Sequence, residues 1–531
     1  MDRKKFIQVS AGLAGLGGML YGCNRPRKIS GKMAGTGEER GHFLRDKKAG
    51  SPVSITEKQF VIVGGGISGL AAAWQLKRTG NTDFVLLELE PHTGGNAASG
   101  RNILSAYPWG AHYIPIPNNN LADYHGFLQS CNVITGYNSG IPVYNEQYLC
   151  FDPQERLYIN GRWQDGLVPH YGIPDAAARQ MELFIKKMDE YRNAKGHDGK
   201  DAFAIPVDDS SQDETFSQLD RLTMKDWMDQ HAFTSPYLHR YINYCCRDDF
   251  GTPHHLISAW AGIHYFASRK GQGANAAHAD VLTWPEGNGF LAENLRKGIA
   301  EHIQTNRLVV NVVKEQDTVR VDFINPDSGQ TEAIRAKQCL LAVPQFVAGR
   351  LLKNEERLKN VKTHFHYSPW MVANFTVRKM EERSGAPLSW DNVLHESQSL
   401  GYVEASHQLL QQDGPLRNLT YYLPLTGDEP EKERKKAQQR TPDEWVQMIM
   451  DDLRVVHPDI EQATDEVHIK LWGHAMVQPL PGMIFGGIRS SLAASPDPQI
   501  HFAHTDLAGI SIFEEAFYQG INGAKRMTGD S

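Results

Sequence analysis

A glycine-rich turn between a short apolar strand and a helix constrains the fold of this chain more than any other feature of its sequence. Residues 59–63 (Gln-Phe-Val-Ile-Val) predict a buried parallel strand, and residues 64–69 follow at once as Gly-Gly-Gly-Ile-Ser-Gly. An apolar helix that stops at Gly80 comes next, and a second strand over residues 84–87 ends at Glu88. An acidic residue at this distance from the glycines completes the βαβ fingerprint of a dinucleotide-binding domain.

The chemistry of dinucleotide binding explains the residue types in this fingerprint. Glycines let the backbone approach a pyrophosphate, the N-terminus of the helix attracts the anion, and Glu88 accepts hydrogen bonds from the ribose hydroxyls. NAD and FAD both satisfy this much of the pattern. The Gly94-Gly95-Asn96 sequence just beyond Glu88 favours FAD, because the pyrophosphate and ribityl chain of a flavin dinucleotide run deep into the protein and need further close backbone approaches.

At these residues the chain resembles the superfamily of flavin amine oxidases, protoporphyrinogen oxidases and phytoene desaturases, in which the acidic residue is followed by Gly-Gly-Arg. Here Asn96 stands in place of that arginine. The resemblance recurs far downstream, where residues 500–506 look like the closing strand of the family and Asp506 occupies the place of the aspartate that bonds the ribityl chain. Residues 511–516 look like the helix whose N-terminus faces the flavin ring, and Ser511 is its predicted N-cap.

Two segments in the middle of the chain extend the resemblance. Gly110-Ala111-His112 looks like the stretch beside the flavin ring, and residues 284–289 look like the glycine turn that starts the second FAD segment. Val310 stands where the family packs a strand residue on the adenine. The resemblance therefore implies an FAD site formed by Gly64, Gly66, Ile67, Ser68, Gly69, Glu88, Gly95, Asn96, Gly110, Ala111, Val310, Asp506, Ser511, Ile512 and Phe513.

The substrate side has fewer signals. Flavin amine oxidases hold the amine between aromatic rings that face the flavin, and Trp472 and Tyr265 are candidates for such rings, the alternative being ordinary core aromatics. His112 and His474 are candidates for relaying a proton, the alternative being buried histidines with satisfied hydrogen bonds. Residues 247–249 (Arg-Asp-Asp) could bind the distal ammonium of a polyamine or form a surface ion pair.

The resemblance also implies the reaction class. The chain is predicted to be an FAD-dependent oxidoreductase that takes a hydride from an amine, polyamines included, onto flavin N5 and passes electrons to oxygen, a quinone or a cytochrome. Many amine oxidases place a lysine near N5, and residues 367–373, the segment that would supply it, contain none, which favours a dehydrogenase. The alternatives are a desaturase or porphyrinogen-type oxidase on the same fold and a lipoprotein that holds FAD without turnover.

The predicted fold class is α/β, with a discontinuous Rossmann-type FAD-binding domain and an α+β substrate domain. Residues 56–115, 271–345 and 470–531 are assigned to the FAD-binding domain, and residues 116–270 and 346–469 to the substrate domain. A chain of 531 residues is long enough for two such domains.

The N-terminus predicts export. Basic residues at positions 3–5 precede an apolar stretch over residues 9–20, too short to span a bilayer. Residues 2–7 look like a twin-arginine export motif with Lys4 in place of the second arginine, and residues 20–23 look like a lipobox that ends at Cys23. We therefore expect a signal peptide over residues 1–23, a tether over residues 24–55, and a lipid-anchored protein of the cell envelope or periplasm.

Composition excludes other classes of protein. Apolar residues make up 40% and charged residues 22%, which is typical of a globular protein. The net charge of -7 comes from mixed charges without a basic stripe, so nucleic acid is not an expected partner, and the membrane is expected only through Cys23. The five other cysteines are odd in number and include no Cys-x-x-Cys pair, so neither a disulfide framework nor a metal site is predicted.

Overall fold

The structure is a computed structural model that describes residues 29–35, 41, 50–324, 329–410, 414–495 and 497–530. The predicted signal peptide and Cys23 lie outside these residues. Within them, no helix is long and apolar enough to cross a membrane.

The described residues form strands and helices in alternation through most of the chain. The strands are β1 (Ser30–Met33), β2 (Ile55–Val63), β3 (Phe84–Leu87), β4 (Ser99–Arg101), β5 (Ala106–Pro108), β6 (Tyr113–Pro115), β7 (Ile134–Asn138), β8 (Ile141–Tyr144), β9 (Glu155–Ile159), β10 (Arg162–Asp165), β11 (Val281–Thr283), β12 (Ile303–Gln304), β13 (Leu308–Glu315), β14 (Thr318–Ile324), β15 (Thr331–Leu341), β16 (Tyr367–Val377), β17 (Asp391–Leu394), β18 (Tyr402–Glu404), β19 (Arg417–Pro424), β20 (Thr464–Val477) and β21 (Ile500–Phe502). The α-helices are α1 (Ile67–Arg78), α2 (Ala122–Ser130), α3 (Asp175–Arg192), α4 (Glu214–Ser217), α5 (Met224–Gln230), α6 (Pro236–Phe250), α7 (Ala259–Ala267), α8 (Gly289–Lys297), α9 (Gln345–Leu351), α10 (Glu355–His364), α11 (Pro430–Gln439), α12 (Pro442–Leu453), α13 (Ile460–Ala463), α14 (Ile488–Ala493) and α15 (Phe513–Thr528).

The first of the two large sheets is the predicted Rossmann-type sheet. Its order is β12-β3-β2-β15-β14-β13, with β21 paired to β15, and β2 is parallel to both of its neighbours. The residues of β3 and the last four of β2 are fully buried, as an apolar run in a parallel sheet requires. Helices α1 and α15 pack together over this sheet, which confirms the predicted α/β fold class.

The second large sheet has eight strands in the order β1-β20-β16-β19-β18-β17-β9-β10. Its longest pairing is the antiparallel ladder between β16 and β20, and α12 packs on one face through a separate hydrophobic core. Helices α3, α5, α6 and α7 form a third core beside it. The predicted domain boundary at residue 470 falls within β20, whose whole length belongs to this sheet.

Part of the predicted tether is a strand. Ser30–Met33 form β1, which runs parallel to β20 at the edge of the eight-stranded sheet, and Ile29 is buried against the core below it. The prediction of an unstructured segment was wrong here because the edge of β20 supplies backbone partners that composition does not reveal. The strand β2 likewise begins at Ile55, four residues before the apolar run.

Candidate active site

The carboxyl ends of β2 and β3 and the N-termini of α1 and α15 surround an open cavity of about 1430 Å³, which we call the cofactor cavity. Most residues of the predicted FAD site lie on its wall. These are Gly64, Gly66, Ile67, Ser68, Glu88, Gly95, Asn96, Ala111, Asp506, Ser511, Ile512 and Phe513. The sequence pattern thus brought together residues that are more than 400 positions apart.

Two glycines explain why the turn between β2 and α1 needs this residue type. Gly64 has a φ of +104°, and a Cβ there would lie 2.4 Å from the carbonyl oxygen of Ala342. A Cβ on Gly69 would lie only 1.9 Å from the Gly64 carbonyl oxygen. Gly69 is therefore not part of the cavity wall; it allows α1 to begin against the strand end, so that its first N–H groups reach the cavity.

Glu88 lies at one end of the cofactor cavity. Its Oε2 accepts a hydrogen bond from the Gly65 N–H at 2.6 Å, and its Oε1 accepts one from the Glu90 N–H at 2.7 Å. Burial raises the pKa of Glu88 to about 7. Arg307 lines the same end, and its Nε has no acceptor among the described residues. A ribose and a phosphate would satisfy these groups, so this end fits the adenosine diphosphate part of FAD.

Asp506 lies at the far end of the cavity and is 1% exposed. Its Oδ2 accepts hydrogen bonds from the Gln345 N–H at 2.8 Å and from the Tyr367 hydroxyl at 2.6 Å. Its Oδ1 lies 3.0 Å from the Nδ1 of His504. Although burial opposes ionisation, the neighbouring imidazole and the donated hydrogen bonds lower the pKa of this carboxyl. A buried carboxylate at this position fits a sugar-alcohol hydroxyl, as the resemblance implies for the ribityl chain.

Helix α15 begins one residue later than predicted. Its N-cap is Ile512, which provides no side-chain cap, whereas the Ser511 Oγ accepts a hydrogen bond from the Val477 N–H at 3.3 Å. The prediction that Ser511 caps the helix was therefore wrong. Because Ile512, Phe513 and Ala516 line the cavity, the uncapped N–H groups of the first turn present partial positive charge to it.

The strand that is predicted to pack on the adenine reaches the cavity one residue earlier than expected. Leu308 and Val309 line the cofactor cavity, and Val310 does not. The pairing of β13 with β14 shifts between Val309 and Asn311, so a bulge at this point changes which residue faces the cavity. Val309 therefore lies at the cavity wall, where the resemblance had placed Val310.

A second cavity of about 890 Å³, which we call the substrate cavity, adjoins the first. Asn96, Ala111, Ala475 and residues 511–513 line both. Gly110, predicted beside the flavin ring, lines only the substrate cavity, where a Cβ would lie 2.3 Å from the Asn96 carbonyl oxygen. Asn96, which replaces the arginine of the family pattern, donates from Nδ2 to the Ala475 carbonyl and so ties the glycine turn to β20.

Aromatic side chains form one wall of the substrate cavity. Trp370 on β16 lies directly across from Trp472 on β20, and the Nε1 of Trp472 donates to the Trp109 carbonyl at 2.6 Å. Tyr422 on β19 stacks on His112 with ring centroids 4.6 Å apart. Tyr113 lines the cavity beside them. The rings are thus fixed by sheet register and by hydrogen bonds to the backbone.

Acidic side chains also line the substrate cavity, next to the aromatic rings, and Asp248 forms a hydrogen bond with Tyr113. Asp249 is paired with Arg269 at 2.6 Å. Asp248 and Glu514 also line the cavity, and neither forms an ion pair within the described ranges. Burial and the nearby Asp249 charge raise the pKa of Asp248 to about 7, and burial raises that of Glu514 to about 7.

The four predicted catalytic residues lie in different parts of the structure. Trp472 and His112 line the substrate cavity, and burial lowers the pKa of His112 to about 4, so its ring is neutral at pH 7. His474 lines the cofactor cavity instead, beside Phe346 and Tyr367.

Tyr265 lines neither cavity, because the guanidinium of Arg269 covers its ring at 4.6 Å. Of the predicted Arg-Asp-Asp segment, Asp248 and Asp249 reach the substrate cavity, whereas Arg247 points away from it. Sequence reasoning missed Tyr113, Trp370, Tyr422 and Glu514. Trp370 is aligned with Trp472 only through the β16–β20 register, a relation that no local pattern reveals.

The fold and the two joined cavities are those of a dinucleotide-binding protein with an adjoining site for a small molecule. Comparison with known families makes this specific. The sequence model described as flavin containing amine oxidoreductase matches residues 67–528, and the chain belongs to that family. The protein is an FAD-dependent oxidoreductase that acts on a small molecule and passes electrons to an acceptor. The predicted superfamily and cofactor are confirmed, and the reading as a non-catalytic FAD-holding protein is not retained.

Solved structures share the fold. Putrescine oxidase bound to putrescine superposes with a TM-score of 0.64 at 13% identity, covering 90% of this chain and 100% of that one. Cyclohexylamine oxidase from Brevibacterium oxydans IH-35A gives 0.63 at 14% identity, with coverages of 89% and 99%. A protein described as a protoporphyrinogen oxidase from Exiguobacterium sp. 255-15 gives 0.59 at 13% identity, with coverages of 91% and 100%. No curated protein sequence matches the chain.

Proposed function

We propose that the substrate is an amine that carries a second cationic group, as diamines and polyamines do. The observation that carries this proposal is the composition of the substrate cavity, which combines an aromatic wall with two carboxylic side chains, Asp248 and Glu514, that lack a cationic partner. The third, Asp249, is already neutralised by Arg269. Two unpaired carboxylates match two positive charges.

The raised pKa values of Asp248 and Glu514 support a cationic ligand. A buried carboxylate without a counter-ion takes up a proton because its charged form is poorly solvated. Both groups titrate near pH 7, so each is partly protonated at neutral pH. A bound ammonium would favour the ionised form of each, and its charge would be compensated inside the cavity.

The aromatic wall would position the amine. Tyr422 is held by a hydrogen bond from its hydroxyl to the Gly110 carbonyl at 2.9 Å, and Trp472 by its bond to Trp109. Such fixed ring faces attract cations and exclude water. His112 is neutral at pH 7 and does not repel a cation beside them. FAD, when bound, would accept at N5 the hydride that leaves the carbon next to the amine nitrogen.

The desaturase and porphyrinogen-oxidase alternative fits the cavity less well. A polyene has no charge to offer to Asp248 and Glu514, and a substrate with carboxylate groups would be repelled by them. The acidic side chains thus favour a cationic substrate over a polyene and over a substrate with carboxylate groups.

The electron acceptor is external. No lysine is among the described residues that line the two cavities. This agrees with the dehydrogenase expected from the sequence, and we propose an acceptor other than oxygen.

Anaerobic reduction tests the amine proposal. The FAD-loaded protein is mixed without oxygen with putrescine, spermidine, benzylamine and the diol of the same length as putrescine. We expect loss of flavin absorbance with the diamine and polyamine, a slower loss with the monoamine, and none with the diol. Unchanged absorbance with every amine would contradict the proposal. Faster reduction by the monoamine would contradict the requirement for a second cationic group.

We also propose, on the sequence of residues 1–23 alone, that the protein is exported and lipid-anchored at Cys23. Metabolic labelling with palmitate should mark the wild-type protein and not Cys23→Ala. Equal labelling of both would exclude the anchor.

A further inference from the structure

A third cavity, of about 790 Å³, lies on the other side of α6 from the substrate cavity. One face of α6 contributes Arg240, Tyr244 and Arg247 to its wall, and the segment after β17 contributes residues 395–399. We call it the Arg247 cavity. It shares no lining residue with the cofactor cavity or the substrate cavity.

Arg247 is an unusual residue in this position. It is 6% exposed, and it forms no ion pair with the described carboxylates. Its Nη2 donates to the carbonyls of Gln398 and Pro424, and its Nε has no acceptor in the described part of the chain. Burial lowers its pKa to about 10. A buried guanidinium is normally paired with an anion, because carbonyl dipoles alone compensate its charge incompletely.

His395, on the same wall, is a neutral ring whose side chain is 5% exposed. Its Nδ1 lies 3.1 Å from the Glu396 carboxylate, and burial lowers the pKa of the ring to about 4, so Nδ1 donates and Nε2 carries a lone pair. That Nε2 has no hydrogen bond within the described ranges, but it can only accept one. Arg247 is therefore the buried group on this wall that an anion would meet.

The charges on the wall favour an anion. Arg240 and Arg247 contribute two guanidinium groups, and Glu396 contributes one carboxylate, which is paired with Arg240 at the rim where both are exposed. The charge of Arg247 therefore has no counter-ion among the residues that line the cavity. The remaining wall includes Leu157, Leu167 and Val393, which are apolar.

We propose that the Arg247 cavity binds a small organic carboxylate, with its charged group against Arg247 and its apolar body against Leu157 and Val393. Arg247 binds a carboxylate better than a lysine would, because its planar donors fix the orientation of the anion. This site is separate from the amine site and lies back to back with it, since Asp248, the next residue of α6, faces the substrate cavity.

Titration calorimetry of the FAD-loaded protein with benzoate tests the site. We expect saturable binding by the wild type, weakened about tenfold or more in Arg247→Met and less in Arg247→Lys. Arg434→Met is the matched control, because Arg434 also donates to two backbone carbonyls, at 3.1 and 3.4 Å, but lies elsewhere. Benzamide, which has the same shape without the charge, should not bind.

Crystals of the wild-type protein soaked in 4-bromobenzoate locate the ligand without any variant. Anomalous signal from bromine in the Arg247 cavity would support the proposal, even if Arg247→Met failed to fold. Three results would overturn it: no benzoate binding, binding that Arg247→Met leaves unchanged, or bromine found only in another cavity. Inorganic phosphate that binds there in place of benzoate would overturn the carboxylate class.

Discussion

The cofactor cavity and the substrate cavity meet at the first turn of α15, yet they are built from different kinds of sequence signal. The cofactor cavity includes two backbone features with a local sequence pattern, the turn over residues 64–69 and the N-terminus of α15. The substrate cavity is formed by side chains from α6, β16, β19 and β20. A backbone site needs glycines in a fixed local order, whereas a side-chain site needs only that distant residues meet. The first leaves a motif in the sequence and the second does not.

The two cavities also differ in charge. The uncapped ends of α1 and α15 and the Arg307 side chain make the cofactor cavity attractive to a diphosphate. Asp248 and Glu514 make the substrate cavity attractive to cations. One site thus suits a dianion and the other a dication, and the residues that line only one of them allow each site to be altered by itself.

Gly69→Ala should distort the cofactor cavity and leave the substrate cavity unchanged. Its Cβ would lie 1.9 Å from a backbone oxygen, so α1 has to move away from the strand end. We expect FAD affinity, measured by flavin fluorescence titration of the apoprotein, to fall on the order of 100-fold. Gly126→Ala in α2 is the control, because its Cβ meets no atom within 4 Å and FAD affinity should not change. Retained FAD affinity in Gly69→Ala would show that the turn is not closely packed.

Asp248→Asn should damage the substrate cavity alone. Removal of one buried charge should lower kcat/KM for a diamine about 10- to 100-fold, while FAD content stays unchanged. The kcat/KM for a monoamine should fall less. Asp465→Asn, which removes an exposed carboxylate paired with Arg378, is the control. An equal loss for both amines would mean that Asp248 does not recognise the second cation.

The pH dependence of cation binding tests whether the substrate cavity carries negative charge. The pKa values of Asp248 and Glu514 are raised to about 7, so the carboxylates that attract a cation are lost as pH falls through 7. Hexamethonium carries two fixed positive charges and does not titrate. We expect its dissociation constant to fall about tenfold as pH rises from about 6 to about 8. A flat profile in the wild type would contradict the raised pKa values.

The limits of sequence reasoning follow from the same comparison. The strand over residues 84–87 and the position of Glu88 were predicted as observed, because a buried parallel strand and its acidic end are local patterns. Tyr265 lines neither cavity, and its depth could not be predicted because it depends on Arg269, which covers the ring. Trp370 was missed because only the register between β16 and β20 brings it beside Trp472. The strand β1 was missed because its partner lies more than 430 residues away.

A β-bulge also limits how precisely a motif predicts which residue lines the cofactor cavity. Substitutions at Val309 and Val310 test whether the bulge shifts that position by one residue. Val309 is 5% exposed and lines the cavity, whereas Val310 is half-buried outside it. Val309→Ala should weaken FAD binding about fivefold, since roughly 1 kcal/mol of apolar contact is lost, and Val310→Ala less than about twofold. Fluorescence titration of the two apoproteins measures the difference. A larger effect of Val310→Ala would restore the alignment expected from the sequence and would mean that the β13 bulge does not turn Val310 away from the adenine.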